Sequence, residues 1–225
     1  MSRPTLDAVE VRVVGALVEK ALATPDQYPL TLNSLVAACN QKTARDPVTA
    51  HTEREVTAAL DRLGRRGLVG TTSGSGHRVA KFRHTLDRAL DLSRRELAVL
   101  AVLLLRGPQT PGEVRTRVGR MAEMDGVEDA EEALWMLGDR DEPLVVRLDR
   151  APGQSADRFS HTLSGEPDAG AAPEAEAAPA DAAPEARPAA AGPASASGLA
   201  ARVEALEAEV ARLSAELAAF REQFE

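Results

Sequence analysis

The chain of 225 residues carries a net charge of −8 and is 44% hydrophobic, yet only 3% of its residues are aromatic. These totals indicate one or two globular domains with aliphatic, mostly helical cores. The single cysteine, Cys39, excludes an internal disulfide and a multi-cysteine metal site.

Two further kinds of segment are missing from the sequence. No stretch reaches the roughly 18 apolar residues that a membrane-spanning helix needs. The opening residues, MSRPTLDAVE, lack the apolar core of a signal peptide. We therefore expect a cytoplasmic protein that does not enter a membrane.

The charge is unevenly distributed along the chain. Residues 166–225 contain 12 acidic residues and 4 arginines, whereas residues 1–165 are neutral, with 23 residues of each sign. Within the neutral part, residues 1–90 have 13 bases and 9 acids, and residues 91–165 have 10 bases and 14 acids. The two halves therefore have opposite net charges, which favours a different kind of partner for each.

Residues 1–90 have the pattern of three helices followed by two strands. Apolar residues at helical spacing predict a first helix over about 6–22, and a second helix runs from near Thr31 to near Asn40. The third helix begins at a capping box formed by Thr52 and Glu55. The segments LVGTT and RVAKFRH then predict a hairpin. The third helix is expected to bury Val56, Ala59, Leu60 and Leu63.

The second half of the neutral region repeats the first. KFRHTL at residues 81–86 returns as RFSHTL at residues 158–163, and EVRVVGAL at 10–17 returns as ELAVLAVL at 96–103. In the second half, Thr110-Pro111 is a good N-cap and first-turn pair for a helix. Both halves are therefore expected to have the same order of helices and strands.

Three helices and a hairpin constitute a winged helix-turn-helix. The predicted fold class is thus mainly α with small β-hairpins, in two tandem winged-helix domains at residues 1–90 and 91–165. Residues 166–198 are rich in Ala, Pro and Glu without a large apolar side chain, which predicts a disordered linker.

Residues 199–225 have an apolar heptad pattern. Alternating spacings of four and three residues are typical of a coiled coil, and valine at a with leucine at d favours two parallel strands. We therefore predict a homodimer through this C-terminal helix, although a helix folded back onto its own domains is the alternative. The predicted dimer contacts are Leu199, Val203, Leu206, Val210, Leu213, Leu217, Phe220 and Phe224.

Three stretches of the chain resemble a known family. They are ATPDQYPLTLNSLVAACNQK at residues 23–42, RVAKFRH at 78–84 and LLLRGPQTPGEVRTR at 103–117. These strings are similar to signature stretches of the YceH-like family of uncharacterised bacterial proteins. The resemblance covers about residues 6–165 and implies the tandem winged-helix fold. It brings no established catalytic or ligand-binding residues.

The residues that could support catalysis favour structural roles instead. The four histidines lack the helical four-residue spacing of zinc ligands, and His84 and His161 occupy equivalent strand ends. Cys39 has apolar neighbours and no evident base, so a buried hydrophobe is favoured over a nucleophile. We predict that the protein is not an enzyme and has no cofactor or metal site.

Helix three of the first half is the candidate DNA-reading helix. The third helix of this motif enters the major groove, and the wing, which is the hairpin, can touch the flanking backbone. Glu53, Glu55 and Asp61 favour the alternative of a solvated face without DNA contact. The predicted groove residues are Arg54, Thr57, Arg62 and Arg65, and the predicted backbone contacts are Arg78, Lys81 and Arg83.

Two other regions suggest contacts with a protein or ligand. Helix three of the second half contains Glu128, Asp129, Glu131 and Glu132 and would repel phosphate. This half is therefore expected to contact the first half, a partner protein or another subunit. Trp135 on that helix is expected to lie in the core. Before helix two of the first half, a proline-rich loop is either a ligand or partner contact or a packing brace. Its polar set is Tyr28, Asn33, Asn40, Gln41 and Lys42.

Together these patterns favour a non-enzymatic, DNA-associated regulator that binds double-stranded DNA through residues 1–90. The neutral charge of residues 1–165 and the acidic second half support an alternative from another class. That alternative is a protein-interaction scaffold that uses tandem winged helices without reading DNA.

Overall fold

The computed structural model describes residues 5–72, 79–150 and 156–165. This part of the chain is mainly helical with two small antiparallel sheets, as predicted. The linker predicted for residues 166–198 and the helix predicted for residues 199–225 lie outside the described residues.

In the first half, each of the two long helices starts at a local cap. Asp7 and Glu10 form a capping box at the start of α1, and Thr52 and Glu55 form the predicted one at the start of α3. A short 3₁₀ turn, Pro25–Gln27, precedes the second helix. The elements are α1 (Ala8–Ala23), β1 (Leu30–Thr31), α2 (Leu32–Cys39), α3 (Glu53–Arg65), β2 (Val69–Thr72), β3 (Lys81–His84) and α4 (Leu86–Leu90).

The second half has the same order of long helices and hairpin strands. Its first helix starts at a Ser93–Glu96 capping box, and its second has Thr110 as N-cap with Pro111 in the first turn, as predicted. The elements are α5 (Arg94–Arg106), α6 (Pro111–Val118), α7 (Val127–Gly138), β4 (Val145–Leu148) and β5 (Arg158–His161).

The first sheet contains one strand that the sequence did not predict. In the order β1-β3-β2, β1 pairs antiparallel with β3, so that Leu30 lies opposite Phe82. A strand of two residues has too few positions to show alternation, which explains why the sequence pattern missed it. The second sheet contains β4 and β5 in antiparallel register.

The repeated His-Thr-Leu closes the hairpin in both halves. His84 lies opposite Val69, and His161 lies opposite Val145. The hydroxyl of the following threonine, Thr85 or Thr162, donates to the carbonyl of Gly67 or Pro143 respectively. The following leucine is fully buried in each half. The repeat is therefore structural, as the sequence comparison favoured.

An ion pair between a buried glutamate and a partly exposed arginine is also repeated. Glu10 at the start of α1 and Glu96 at the start of α5 are both buried. Arg66 lies 3.6 Å from Glu10, and Arg140 lies 3.5 Å from Glu96. Because a buried carboxylate is costly unless it is paired, each arginine ties the end of a third helix to the start of a first helix.

The two halves share one continuous hydrophobic core, with α1 packed against α5. At their contact, a Cβ on Gly15 would lie 3.0 Å from the Leu105 side chain. The start and end of the described fold also meet, since the Leu6 N–H donates to the Leu163 carbonyl at 2.6 Å. The domain boundary near residue 90 stays a prediction, but the halves are not packed independently.

The loop between α2 and α3 is fastened by a buried arginine. The Arg45 side chain donates to the Ala38 carbonyl at 2.8 Å and to the Glu19 carboxylate at 2.7 Å. Burial alone would raise the pKa of Glu19, but the hydrogen bond and charge of Arg45 outweigh it and lower that pKa. These contacts attach the loop before α3 to α1 and α2.

The α1–α5 contact gives a stability test. We expect Gly15→Val to lower the free energy of unfolding by about 1–3 kcal/mol, because the added carbons must displace Leu104 or Leu105. The matched control is Gly112→Val in α6, where nothing lies within 4 Å of an added Cβ. Urea denaturation followed by circular dichroism measures both, and equal losses would contradict close packing at Gly15.

Candidate nucleic-acid interface

Helix α3 has a buried face and a solvent face. Its inner side consists of the four residues predicted for the core, Val56, Ala59, Leu60 and Leu63, all of which are buried. This apolar spacing fixes the rotation of the helix, because it leaves the intervening positions on the outside. The outer side is therefore the surface that any groove-binding helix would present.

Three of the predicted groove residues lie on this outer face. Arg54, Thr57 and Arg65 are exposed. The Thr57 hydroxyl donates to the Glu53 carbonyl at 2.8 Å, and Arg65 Nε donates to the Asp61 carbonyl at 3.3 Å. These contacts lie within α3 itself and leave the Arg54 and Arg65 side chains without an ion pair in the described part of the chain.

Arg62, the fourth predicted groove residue, is turned towards α1. Its Nη2 lies 2.6 Å from Asp7 Oδ2, and its Nε lies 2.9 Å from Glu10 Oε1. Glu10 is 1% exposed, so its charge needs the neighbouring guanidinium groups of Arg62 and Arg66. The side chain thus holds α3 on α1, and its predicted contact with DNA would break that bond.

The outer face of α3 is close to neutral. Arg54 and Arg65 share it with three exposed acids, Glu53, Glu55 and Asp61. Because affinity for DNA rises with the number of phosphates neutralised, this face alone supports only weak and salt-sensitive binding. A second source of positive charge is needed for firm contact.

Strand β3, which is part of the predicted wing, supplies such charge. Side chains alternate along a strand, so Lys81 and Arg83 share one side while Phe82 packs against the core from the other. Arg83 lies opposite Gly70, whose missing side chain leaves room for the guanidinium group. Arg78, the third predicted backbone contact, lies outside the described residues.

The loop before α2 makes packing contacts, which favours the packing brace among the two alternatives left by the sequence. The Tyr28 hydroxyl accepts a hydrogen bond from the His84 N–H at 2.6 Å, and burial raises the pKa of Tyr28 to about 12. Asn40 exchanges two hydrogen bonds with the backbone of His51. Asn33 and Lys42 are the exposed members of the polar set.

Among the groups considered for catalysis, Cys39 is buried, and His84 and His161 are partly buried. Cys39 is fully buried, as predicted, and burial raises the pKa of its thiol to about 12, which disfavours the reactive thiolate. Burial lowers the pKa of His84, and it lowers that of His161 to about 4. Within residues 5–72, 79–150 and 156–165, no group of three or more His, Cys, Asp or Glu residues is placed to hold a metal ion.

The prediction that Trp135 lies in the core is wrong. Its side chain is 61% exposed, and the adjacent Met136 is 47% exposed. The buried residues Ala130, Ala133, Leu134 and Leu137 already define the inner side of α7. At 100° per residue, positions 135 and 136 consequently face solvent, whatever their hydrophobicity.

The predicted acidic character of α7 is present on its surface. Glu128, Glu131 and Glu132 are exposed, while Asp129 pairs with Arg95 at 3.1 Å. Unlike α3, this helix contains no base, so it would repel phosphate. The two halves therefore offer surfaces of different chemistry on equivalent helices.

Sequence comparison assigns the chain to a family. Residues 6–154 match a family described as a protein of unknown function, DUF480. The chain belongs to this family. The match covers the first half and the second half as far as β4, and it confirms the predicted resemblance to uncharacterised bacterial proteins.

Several DUF480 relatives are similar over most of their length. A UPF0502 protein of Chromobacterium violaceum is 44% identical over 99% of this chain and 94% of its own. One from Pectobacterium atrosepticum is 46% identical over 95% of this chain and 97% of its own. One from Geobacter sulfurreducens is 54% identical over 72% of this chain and 74% of its own.

None of the helices in the described part of this DUF480 protein has the length and apolar character needed to cross a membrane. The longest, α1, has 16 residues and includes Glu10, Arg12 and Glu19.

The burial of His161 gives a pH test. Its pKa falls from 6.5 to about 4 on folding, so the unfolded chain binds an extra proton between these values. We expect this group to remove up to about 1.4 kcal/mol of stability per pH unit as the pH falls from 6.5 towards 4. His161→Gln should reduce the stability loss between pH 7 and pH 5 in urea denaturation, whereas an unchanged loss would contradict a neutral buried imidazole.

Proposed function

We propose that this protein is a non-enzymatic DNA-binding regulator of the winged-helix type, with one winged-helix unit in each half. The observation that carries the proposal is the repeated order of three helices followed by an antiparallel hairpin. In a winged helix-turn-helix, the third helix enters the major groove and the hairpin contacts the backbone. A cytoplasmic location accords with this role and is part of the proposal.

The proposed DNA contact belongs to the first half. Arg54, Thr57 and Arg65 on the outer face of α3 would meet the groove, and Lys81 and Arg83 on β3 would meet the adjacent backbone, together with Arg78. The ion pairs of Arg62 with Asp7 and Glu10 favour a different task for that residue. It would position α3 rather than touch the nucleic acid.

DNA retention provides the test of this assignment. We expect the double variant Arg54→Glu and Arg65→Glu to weaken retention of duplex DNA at low salt by about tenfold or more, because it replaces attraction to phosphate with repulsion. The matched control is Arg115→Glu with Arg120→Glu, which changes the same charge on the exposed surface of the second half. Filter binding over a series of salt concentrations measures both variants.

Two outcomes would count against DNA binding by α3. Equal losses in the two double variants would show that net charge alone governs retention. A wild-type protein that fails to retain duplex DNA at low salt would remove the proposal itself and favour the scaffold function. Arg62→Glu is a poor test, because it would place a third acid beside Asp7 and Glu10 and disturb the fold.

We also propose that the protein is a homodimer through residues 199–225. The support is the heptad pattern of the sequence, with valine at 203 and 210 and leucine at 206 and 213. A dimer would double the number of DNA contacts and would read two half-sites, which suits the weak charge on one copy of α3.

The dimer is tested by light scattering on the full chain. We expect Leu206→Glu with Leu213→Glu to give a monomer at tens of micromolar, because charges at d positions prevent apolar packing. The control is Ala208→Glu with Ala215→Glu, which adds the same charge at outward f positions and should leave the dimer intact. A monomeric wild-type protein, or a dimer that survives the d-position changes, would exclude this mode of association.

A second candidate function is a protein-interaction scaffold, and one observation favours it specifically. Helix α7 exposes Trp135 and Met136 among acidic residues, which is unsuited to DNA but suited to a protein. The two functions are compatible, because α3 and α7 belong to different halves of the fold.

A further inference from the structure

An apolar groove lies between the second half of α7 and the β4–β5 sheet. It has a volume of about 340 Å³. Trp135 lines it on the helix side, and Val146 and Phe159 line it on the sheet side, with Pro143 at the turn between them. The groove is therefore continuous with the exposed indole rather than separate from it.

The exposed aromatic side chain indicates that this groove receives a partner. Tryptophan is enriched at the centre of protein interfaces, where its large apolar area becomes desolvated. Met136 follows Trp135 on the same exposed surface, and methionine adapts to partners of varied shape. Both apolar side chains are exposed to water at positions where a smaller polar residue would be less costly.

Charge around the groove specifies the chemistry of the partner. Residues 127–139 include five acids and no base. Glu131 lies one helical turn before Trp135 and Asp139 one turn after it, and neither forms an ion pair within the described residues. Arg147 on the opposite wall lies 3.6 Å from Asp157, which also pairs with Arg150 at 2.5 Å, so the sheet side keeps a positive charge. The rim is thus negative on the helix side.

This rim disfavours three alternative occupants. Nucleic acid and anionic lipid would both be repelled by the acids. The C-terminal segment of the same chain, residues 199–225, has six acids and three arginines, so it also carries the wrong sign. A second copy would bring another acidic α7 towards the first if the contact were two-fold symmetric.

We propose that the groove beside Trp135 binds a basic amphipathic segment of a partner protein. Apolar side chains of that segment would pack against Trp135 and Phe159, and its lysine or arginine side chains would pair with Glu131 and Asp139. The proposal specifies the partner of the second candidate function, and it does not depend on DNA binding by α3.

Trp135 is the only tryptophan of the chain, so its fluorescence reports this groove alone. The full-length protein is titrated with a helical peptide that has leucine on one face and lysine on the other. We expect a saturable shift of the emission to shorter wavelength, as the indole leaves water. A peptide of the same length with glutamate in place of lysine should produce no shift.

A charge reversal of the rim separates specific binding from general attraction. We expect the double variant Glu131→Lys and Asp139→Lys to weaken binding of the lysine peptide by about tenfold or more. The matched control, Glu53→Lys with Asp61→Lys, makes the same net change on α3 and should leave the titration unaltered. Equal weakening by both pairs, or equal binding of the two peptides, would overturn the proposal.

The same signal identifies the competing occupants. A free protein that already emits like a buried indole, and shifts to longer wavelength in the Leu206→Glu and Leu213→Glu variant, would assign the groove to the C-terminal segment. A shift that depends on protein concentration alone would assign it to a second copy, and a shift with anionic phospholipid vesicles would assign it to a membrane. Each result would overturn the proposal, whereas failure of the DNA-retention assay would leave it intact.

Discussion

The buried carboxylate of Glu10 is the interaction on which the presentation of α3 depends. It caps α1 through the backbone N–H of Asp7, and it also receives Arg62 and Arg66 from the end of α3. A carboxylate with 1% of its surface exposed requires such compensation, because its desolvation costs several kcal/mol. The rotation and position of α3 on α1 are consequently fixed by charge as well as by the apolar face.

The same requirement limits what the first half can offer to DNA. Two arginines near the end of α3 neutralise an internal charge. The outer face therefore retains Arg54 and Arg65 beside the acids Glu53, Glu55 and Asp61. The second half keeps the equivalent Glu96–Arg140 pair but gives α7 an acidic, partly apolar surface. The repeat thus preserves the internal support of its third helix while the exposed chemistry differs between the copies.

Features determined by neighbouring residues could be predicted from the sequence. The caps at Thr52 and Thr110 bind N–H groups only three residues away, and the buried face of α3 follows from its spacing. Contacts between residues far apart in the sequence could not be predicted. Arg62 meets a carboxylate 52 residues earlier in the chain, and nothing in its own surroundings indicates this. Hydrophobicity alone predicts a buried Trp135, whereas the helical position set by Leu134 and Leu137 leaves it exposed.

The hydrogen bond from Leu6 to Leu163 brings the two ends of the described fold together. Its first and last segments lie side by side, so a short peptide could join them without distorting either half. The chain could then be opened elsewhere, for instance at the exposed Asp91 between α4 and α5, and the same helices would follow one another in rotated order. Such a circular permutant would place the second half before the first in the sequence. It would show whether the packing of α1 against α5 depends on that order.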